Sequence, residues 1–243
     1  MQENWRWLRR GSKLESMNTT QIVLLAGSSL LLLGAGNDME RYAAPPPSPR
    51  PATPPGQVLF SDDFSEGELR GWKVDKEGVW SVRRGVLRGD LPDDRQQKSF
   101  LYAGSEAWSN YAVDLDVCGM RGADKGVAVR VVEGETGIAV DLRGPGYQDV
   151  LLQRREWPMG KARVPNGNGQ WHHLRIEARN HRYRVWVNGA VLIDKEDPKK
   201  ARSRGGIALA AYTGGVGECT LYFDNVVVTA LGNGTAAASA DGD

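Results

Sequence analysis

Between Trp171 and Lys195 apolar and polar residues alternate with a period of two. Leu174, Ile176 and Ala178 interleave with His173, Arg175, Glu177 and Arg179, the pattern of a strand with one buried face. Asn180-His181 and Asn188-Gly189 then interrupt the alternation with residues suited to tight hairpin turns. Three consecutive antiparallel strands are expected. A two-residue loop at 180–181 sets Ala178 opposite Tyr183, Ile176 opposite Val185 and Leu174 opposite Val187. The other face then sets Glu177 against Arg184 and Arg175 against Trp186, which offers Arg184 an ion pair with Glu177 or with Asp194 and Arg175 a cation–π contact. For the second turn a three-residue loop of Asn188, Gly189 and Ala190 is expected, because it returns Val191 and Ile193 to the core. A strict two-residue turn faces both outward.

The same grammar recurs along most of the chain. Strands are expected at 57–61, 79–83, 85–89, 99–103, 111–119, 126–132, 137–143, 149–155, 171–179, 182–187, 190–195, 205–211 and 218–230. Turn residues separate them, such as Arg84-Gly85, Gly144-Pro145-Gly146, Asn166-Gly167 and Gly214-Gly215. Short strands at regular spacing, with no helical periodicity between them, predict an all-β fold, an antiparallel β-sandwich of the jelly-roll kind. The 243 residues suffice for one such domain, at 57–231, with tails on both sides.

The flanks read differently. Arg6, Arg9, Arg10 and Lys13 precede an uncharged run from Ser16 to Asn37 with IVLLAGSSLLLLGAG at its centre. A basic segment before an apolar one marks residues 1–38 as a signal peptide or a single hydrophobic helix that anchors the chain. Either reading implies an extracellular or periplasmic domain, touching membrane only through this segment. Residues 39–56 form a Pro-rich linker, in which 44–56 hold seven of the twelve prolines, a composition that favours an extended spacer. The tail at 232–243 is small, polar and of disordered composition.

A net charge of +1 gives no global pull toward nucleic acid or acidic membranes. Glycine-rich nucleotide loops, zinc-ligand spacings and the Gly-x-Ser-x-Gly elbow are missing from the sequence. His172 and His173 are adjacent, so a strand points them to opposite faces and they cannot share a metal there. Asp114 and Asp116 read as solvated aspartates of an outer face. Trp72, Trp80 and Trp171 follow turns at strand starts and read as packing residues. Cys118 and Cys219 can bridge if 111–119 pairs with 218–226 and a bulge corrects their faces; otherwise both are free thiols.

The candidate site lies on the middle strands. With Val127, Val129 and Val131 inward, Arg130 points out. With Ile138, Val140 and Leu142 inward, Asp141 and Arg143 point out, and Gln153 and Arg155 share a face leading to Trp157. If these strands are neighbours, the five polar residues form one patch, with Tyr147, Trp157 and Trp108 as loop aromatics beside it. Such groups suit hydroxyl recognition. The competing reading is a salt-bridged outer face with no ligand.

The domain resembles the concanavalin A-like lectin/glucanase sandwich in its laminin G-like form, and is similar in layout to the bacterial 3-keto-disaccharide hydrolase-like domains. The resemblance rests on LFSDDFSEGELRGW (59–72), GVWSVRRGVLRGD (78–90), NYAVDLDV (110–117), GVAVRVV (126–132), GQWHHLRIEARNHRYRVWVNGAVL (169–192), GGIALAAY (205–212) and LYFDNVVV (221–228), in that order. It implies that the Arg130–Arg155 patch lines a concave, sugar-binding sheet. Relatives of the glucanase type carry a Glu-x-Asp-x-Glu run, which this chain lacks. The hydrolase-like domains show Asn-Ser-Gly before an Arg-bearing strand; here the matching stretch is Asp124-Lys125-Gly126, with Arg130 kept and Asp141 where an acid stands. The resemblance also raises a structural Ca2+ near the first and last strands, on Asp62, Asp63 and Asp224, against the simpler reading of turn aspartates. No other cofactor is expected. The resulting expectation is a monomeric, non-catalytic module that binds a glycan or cell-envelope polysaccharide. The alternatives are a glycan-processing hydrolase and a structural ectodomain that binds a protein.

Overall fold

The computed structural model describes residues 56–122, 124–132, 137–144, 146–154 and 157–232. The expected signal or anchor helix, nearly all of the linker and the C-terminal tail lie outside them. The described residues form fifteen strands. They are β1 (Val58–Asp62), β2 (Trp72–Val74), β3 (Trp80–Arg83), β4 (Val86–Leu91), β5 (Lys98–Ala103), β6 (Tyr111–Gly122), β7 (Asp124–Val131) and β8 (Ile138–Arg143). There follow β9 (Asp149–Arg154), β10 (Trp157–Arg163), β11 (Trp171–Arg179), β12 (Arg182–Val187), β13 (Ala190–Glu196), β14 (Gly206–Tyr212) and β15 (Cys219–Ala230). All pairings are antiparallel, in two sheets. The first runs β13-β12-β11-β6-β15-β4-β3 with β1 added to β15, and the second runs β10-β9-β8-β7-β14-β5-β2.

Alternation along the strands fills the space between the sheets. Val113, Leu115 and Val117 of β6 and Leu174, Ile176 and Ala178 of β11 meet Val127 and Val129 of β7 and Val140 and Leu142 of β8 in one core. The architecture is the all-β antiparallel sandwich that the spacing predicts. Every expected strand is present. The two additional strands, β2 and β10, are the ones with weak alternation: one is three residues long, and Pro158 and Gly160 interrupt the other.

The β11–β12 hairpin has the expected register, with Ala178 opposite Tyr183, Ile176 opposite Val185 and Leu174 opposite Val187. The Arg175 guanidinium stands 5.8 Å from the centre of the Trp186 ring. Two details differ. Glu177 pairs with Arg175 of its own strand at 2.9 Å, and Arg184 takes Asp194, one of its two expected partners, at 3.1 Å. The second turn holds two residues, not three: Val187 faces Ala190, and Asn188 and Gly189 both adopt positive φ, as a type I′ turn requires. A bulge then skips Leu192, so Trp186 faces Val191 and Val185 faces Ile193. Ile193 is therefore buried as expected, whereas Val191 is exposed.

Cys118 and Cys219 are free thiols. Cys118 packs on the outer face of its sheet beside Trp171 and Tyr222, while Cys219 joins the core. The bulges of β6 against β15 do not bring them to one side, and the disulfide alternative is set aside. Trp72 and Trp80 pack against the core. Asp114 and Asp116 do lie on the outer face, opposite Arg175 and His173, but they are buried rather than solvated. His173 sits between them, 2.9 Å from Asp116 and 3.3 Å from Asp114.

Candidate functional site

The outer face of the second sheet carries a groove of about 710 Å³. Three cross-strand rungs build it, each crossing β5, β14, β7, β8 and β9 in that order. The first is Tyr102, Ala208, Ala128, Ala139 and Gln153. The second is Phe100, Ala210, Gly126, Asp141 and Leu151. The third is Lys98, Tyr212, Asp124, Arg143 and Asp149. The floor is low because its central positions are alanine or glycine. One wall is aromatic, from Phe100 and Tyr102, whose ring centres lie 5.9 Å apart. The other wall is polar, from Asp141, Arg143 and Gln153.

The polar wall is pre-organised. The Gln153 amide donates to Asp141 Oδ2 at 2.5 Å. Arg143 donates through Nε and Nη2 to the two oxygens of Asp149 at 2.7 and 2.8 Å, a fork that locks the guanidinium plane. Its Cζ lies 4.2 Å from the centre of the Tyr147 ring. Burial pushes the Asp141 carboxyl up to about 7, and the nearby Asp124 carboxylate adds to the shift. Burial likewise lifts Asp124 to about 6, against the pull of Arg143 and Lys125. One oxygen of Asp124 is buried without a hydrogen-bond partner. At neutral pH the groove thus holds two acids near their titration points, each able to donate or accept a proton.

The expected patch is only partly assembled. Asp141, Arg143 and Gln153 share the groove as expected. Arg155 lies outside the described residues. Arg130 does not point out: it is fully buried between the sheets. The cause is a bulge. Gly206 faces Val131 and Ile207 faces Val129, so Arg130 is the extra residue, with φ of 56°. The alternation reverses there, Val131 turns to the groove and Arg130 turns inward. Its Nη1 donates to the carbonyls of Asn180 and Arg202 and to the Tyr183 hydroxyl, and its Nη2 to the carbonyl of Ser109. It holds loops and both sheets together and cannot reach a ligand in the groove.

The aromatics named from the sequence stand elsewhere. Trp108 packs edge-on against Tyr111 and against the core. Tyr147 is exposed and held under Arg143 at the rim. Trp157 is 70% exposed at the start of β10, opposite Arg154, whose guanidinium bonds Asp197 on the side away from Gln153. The groove aromatics Phe100 and Tyr102 were legible in SFLY (99–102), where a buried Leu101 obliges its two neighbours to face out.

The three carboxylates near the first and last strands do not converge. Asp62 accepts from the Phe64 amide and from Trp72 Nε1, each at 2.7 Å, and lies opposite the core residue Val226. Asp63 caps Ser65. Asp224 lies opposite Asp116 on the other face. Among the described residues no three His, Cys, Asp or Glu side chains are grouped as a metal site.

Residues 57–229 match the family model described as the 3-keto-alpha-glucoside-1,2-lyase-like domain. No curated protein matches the chain. Among solved structures, the chain is similar to the carbohydrate binding module CBM66 from Bacillus subtilis, with TM-score 0.55 and 17% identity over 66% of this chain and 96% of that one. It is also similar to the Ca2+/Man3GlcNAc-bound exoplasmic/lumenal domain of VIP36, with TM-score 0.56 and 10% identity over 73% and 90%. A third is the GH43 protein BlXynB from Bacillus licheniformis, with TM-score 0.53 and 17% identity over 70% of this chain and 39% of that one. These likenesses place the fold among concanavalin A-like sandwiches.

Proposed function

From the premise that this chain belongs to the 3-keto-alpha-glucoside-1,2-lyase-like family, we propose that its groove binds a saccharide, with the hydroxyls held by Asp141, Gln153 and Arg143. The carrying observation is the Asp141–Gln153 hydrogen bond beside an alanine floor. A carboxyl and an amide fixed together present acceptors and donors to two adjacent hydroxyls. Preorganisation spares the ordering cost that mobile side chains would impose. The convergent polar groups of one wall favour a sugar ligand over a protein partner, which would call for a broad apolar face. The basic and apolar N-terminal sequence supports a module exported to the cell envelope. The test is a glycan array with the full chain. Binding that Asp141→Ala and Gln153→Ala each weaken at least about tenfold supports the assignment; binding that neither variant alters, or none at all, removes it.

A second, catalytic reading is favoured by the raised carboxyls of Asp124 and Asp141. They lie diagonally on neighbouring strands, where backbone positions are roughly 7–8 Å apart. In a 1,2-elimination from a 3-keto-glucoside, one carboxylate takes the C2 proton that the ketone acidifies. The C1–C2 double bond forms, the C1–O bond breaks, and the other carboxyl protonates the departing oxygen. Release of the alcohol from a 3-keto-glucoside, slowed about 100-fold or more by Asp141→Asn or Asp124→Asn, is the expected sign. Turnover unaffected by both variants excludes these roles.

A further inference from the structure

Building on the assignment of the groove to a saccharide, we propose that its ligand is an amphiphilic glycoside: one sugar on the β8–β9 wall, joined to an aromatic aglycone that lies across β14 onto Phe100 and Tyr102. The rungs distribute their chemistry unevenly across the strands. The hydroxyl-binding groups Asp141 and Gln153 sit on β8 and β9, and the aromatic pair sits on β5. With β14 and β7 between them, about 14 Å separates the backbones of β5 and β8, more than one hexopyranose fills.

The floor between the two walls is apolar. Ala208 and Ala128 occupy the first rung, and Ala210 and Gly126 the second. Their backbone groups are committed to the sheet, so this half of the floor offers no hydrogen bond. Asp124, Tyr212 and Lys98, which would offer some, belong to the third rung. A second hydroxylated ring placed over the alanines would lose water without gaining partners, a penalty for each group left unpaired. A flat apolar ring has no such penalty and gains from the Phe100–Tyr102 pair, whose planes are tilted by 34°. The groove is thus matched to a ligand polar at one end and aromatic at the other.

The experiment compares phenyl and methyl glycosides of the same sugar and anomer, over a panel of hexoses, by titration calorimetry on the full chain. The phenyl glycoside is expected to bind about tenfold tighter or better. Phe100→Ala should remove most of that advantage and leave the affinity for the methyl glycoside unchanged. Tyr102→Leu serves as a second variant that keeps apolar volume, should Phe100→Ala fold poorly. Equal affinity for the two glycosides, with both weakened by Asp141→Ala, overturns the aglycone assignment while the saccharide site stands. A methyl glycoside weakened by Phe100→Ala also overturns it, because the rings then stack on sugar. If no glycoside in the panel binds, the saccharide assignment and this inference fall together.

Discussion

The Arg130 guanidinium lies over the ring of Tyr183, 5.3 Å from its centre, and donates to its hydroxyl at 3.1 Å. Arg130 belongs to one sheet and Tyr183 to the other, so this contact ties the layers. Arg130→Met would take this donor from the carbonyls of Asn180, Arg202 and Ser109. It is expected to lower stability by about 3 kcal/mol, and Tyr183→Phe by about 1 kcal/mol. Urea unfolding checks both.

Asp141 makes stability depend on pH. Its folded-state value of about 7 lies above the ordinary 3.8. Between those values the unfolded chain releases a proton that the folded one keeps, so the protein loses stability as pH rises from about 4 to 7. Asp124, lifted to about 6, acts in the same sense. The stability of Asp141→Asn relative to wild type should therefore increase across that interval and level off above it. Melting curves at pH 4.5, 6 and 8 measure the trend; a constant difference would remove the assignment of a raised carboxyl.

His173 is burdened by burial, which alone would lower its pKa, but hydrogen bonds to Asp114 and Asp116 outweigh this and raise it above 6.5. Its contribution is fully present below pH 6.5 and fades as pH climbs through the raised folded value. Wild type should exceed His173→Asn in stability at pH 6, with the gap narrowing toward pH 9. Urea midpoints of the two proteins provide the comparison.

Ala210 lies between Phe100 and Gly126 on the groove floor and is half-buried. Ala210→Leu fills that space. Glycan binding should fall at least about tenfold, with stability changed by no more than about 0.5 kcal/mol. Calorimetry and thermal unfolding on the same sample separate the two effects.

Both thiols are pushed up to about 12 by burial and are therefore protonated and unreactive. A thiol reagent should label neither in the native protein and both after denaturation. One mole or less under denaturing conditions would reveal a bridge that the opposite faces of Cys118 and Cys219 forbid.

Alternation carried most of the fold, because each strand has one face in a common core. In 171–187 it reached the level of individual partners. It failed where one residue is inserted: Arg130 and Leu192 each reverse the sidedness of the residues beyond them, and neither bulge leaves a mark in the hydrophobic pattern. The groove was half legible. Asp141, Arg143 and Gln153 follow from regular stretches of β8 and β9. The outward face of Phe100 and Tyr102 is legible, but their place in the groove is not, because β5 joins β8 and β9 only through β7 and β14, and β14 is distant in the chain. The pairing β5-β14-β7 is a tertiary fact that period-two spacing does not encode.

The bulges at Met159 and Leu192 fall on β10 and β13, one edge strand of each sheet. An outermost strand offers unpaired amides and carbonyls to any passing chain. A skipped residue breaks the even spacing that a foreign strand would need, and Lys161, Arg163, Lys195 and Glu196 add charge beside the breaks. The two irregularities therefore oppose edge-to-edge stacking into fibrils, and straightening either strand by deleting its extra residue would trade solubility for a flatter sheet.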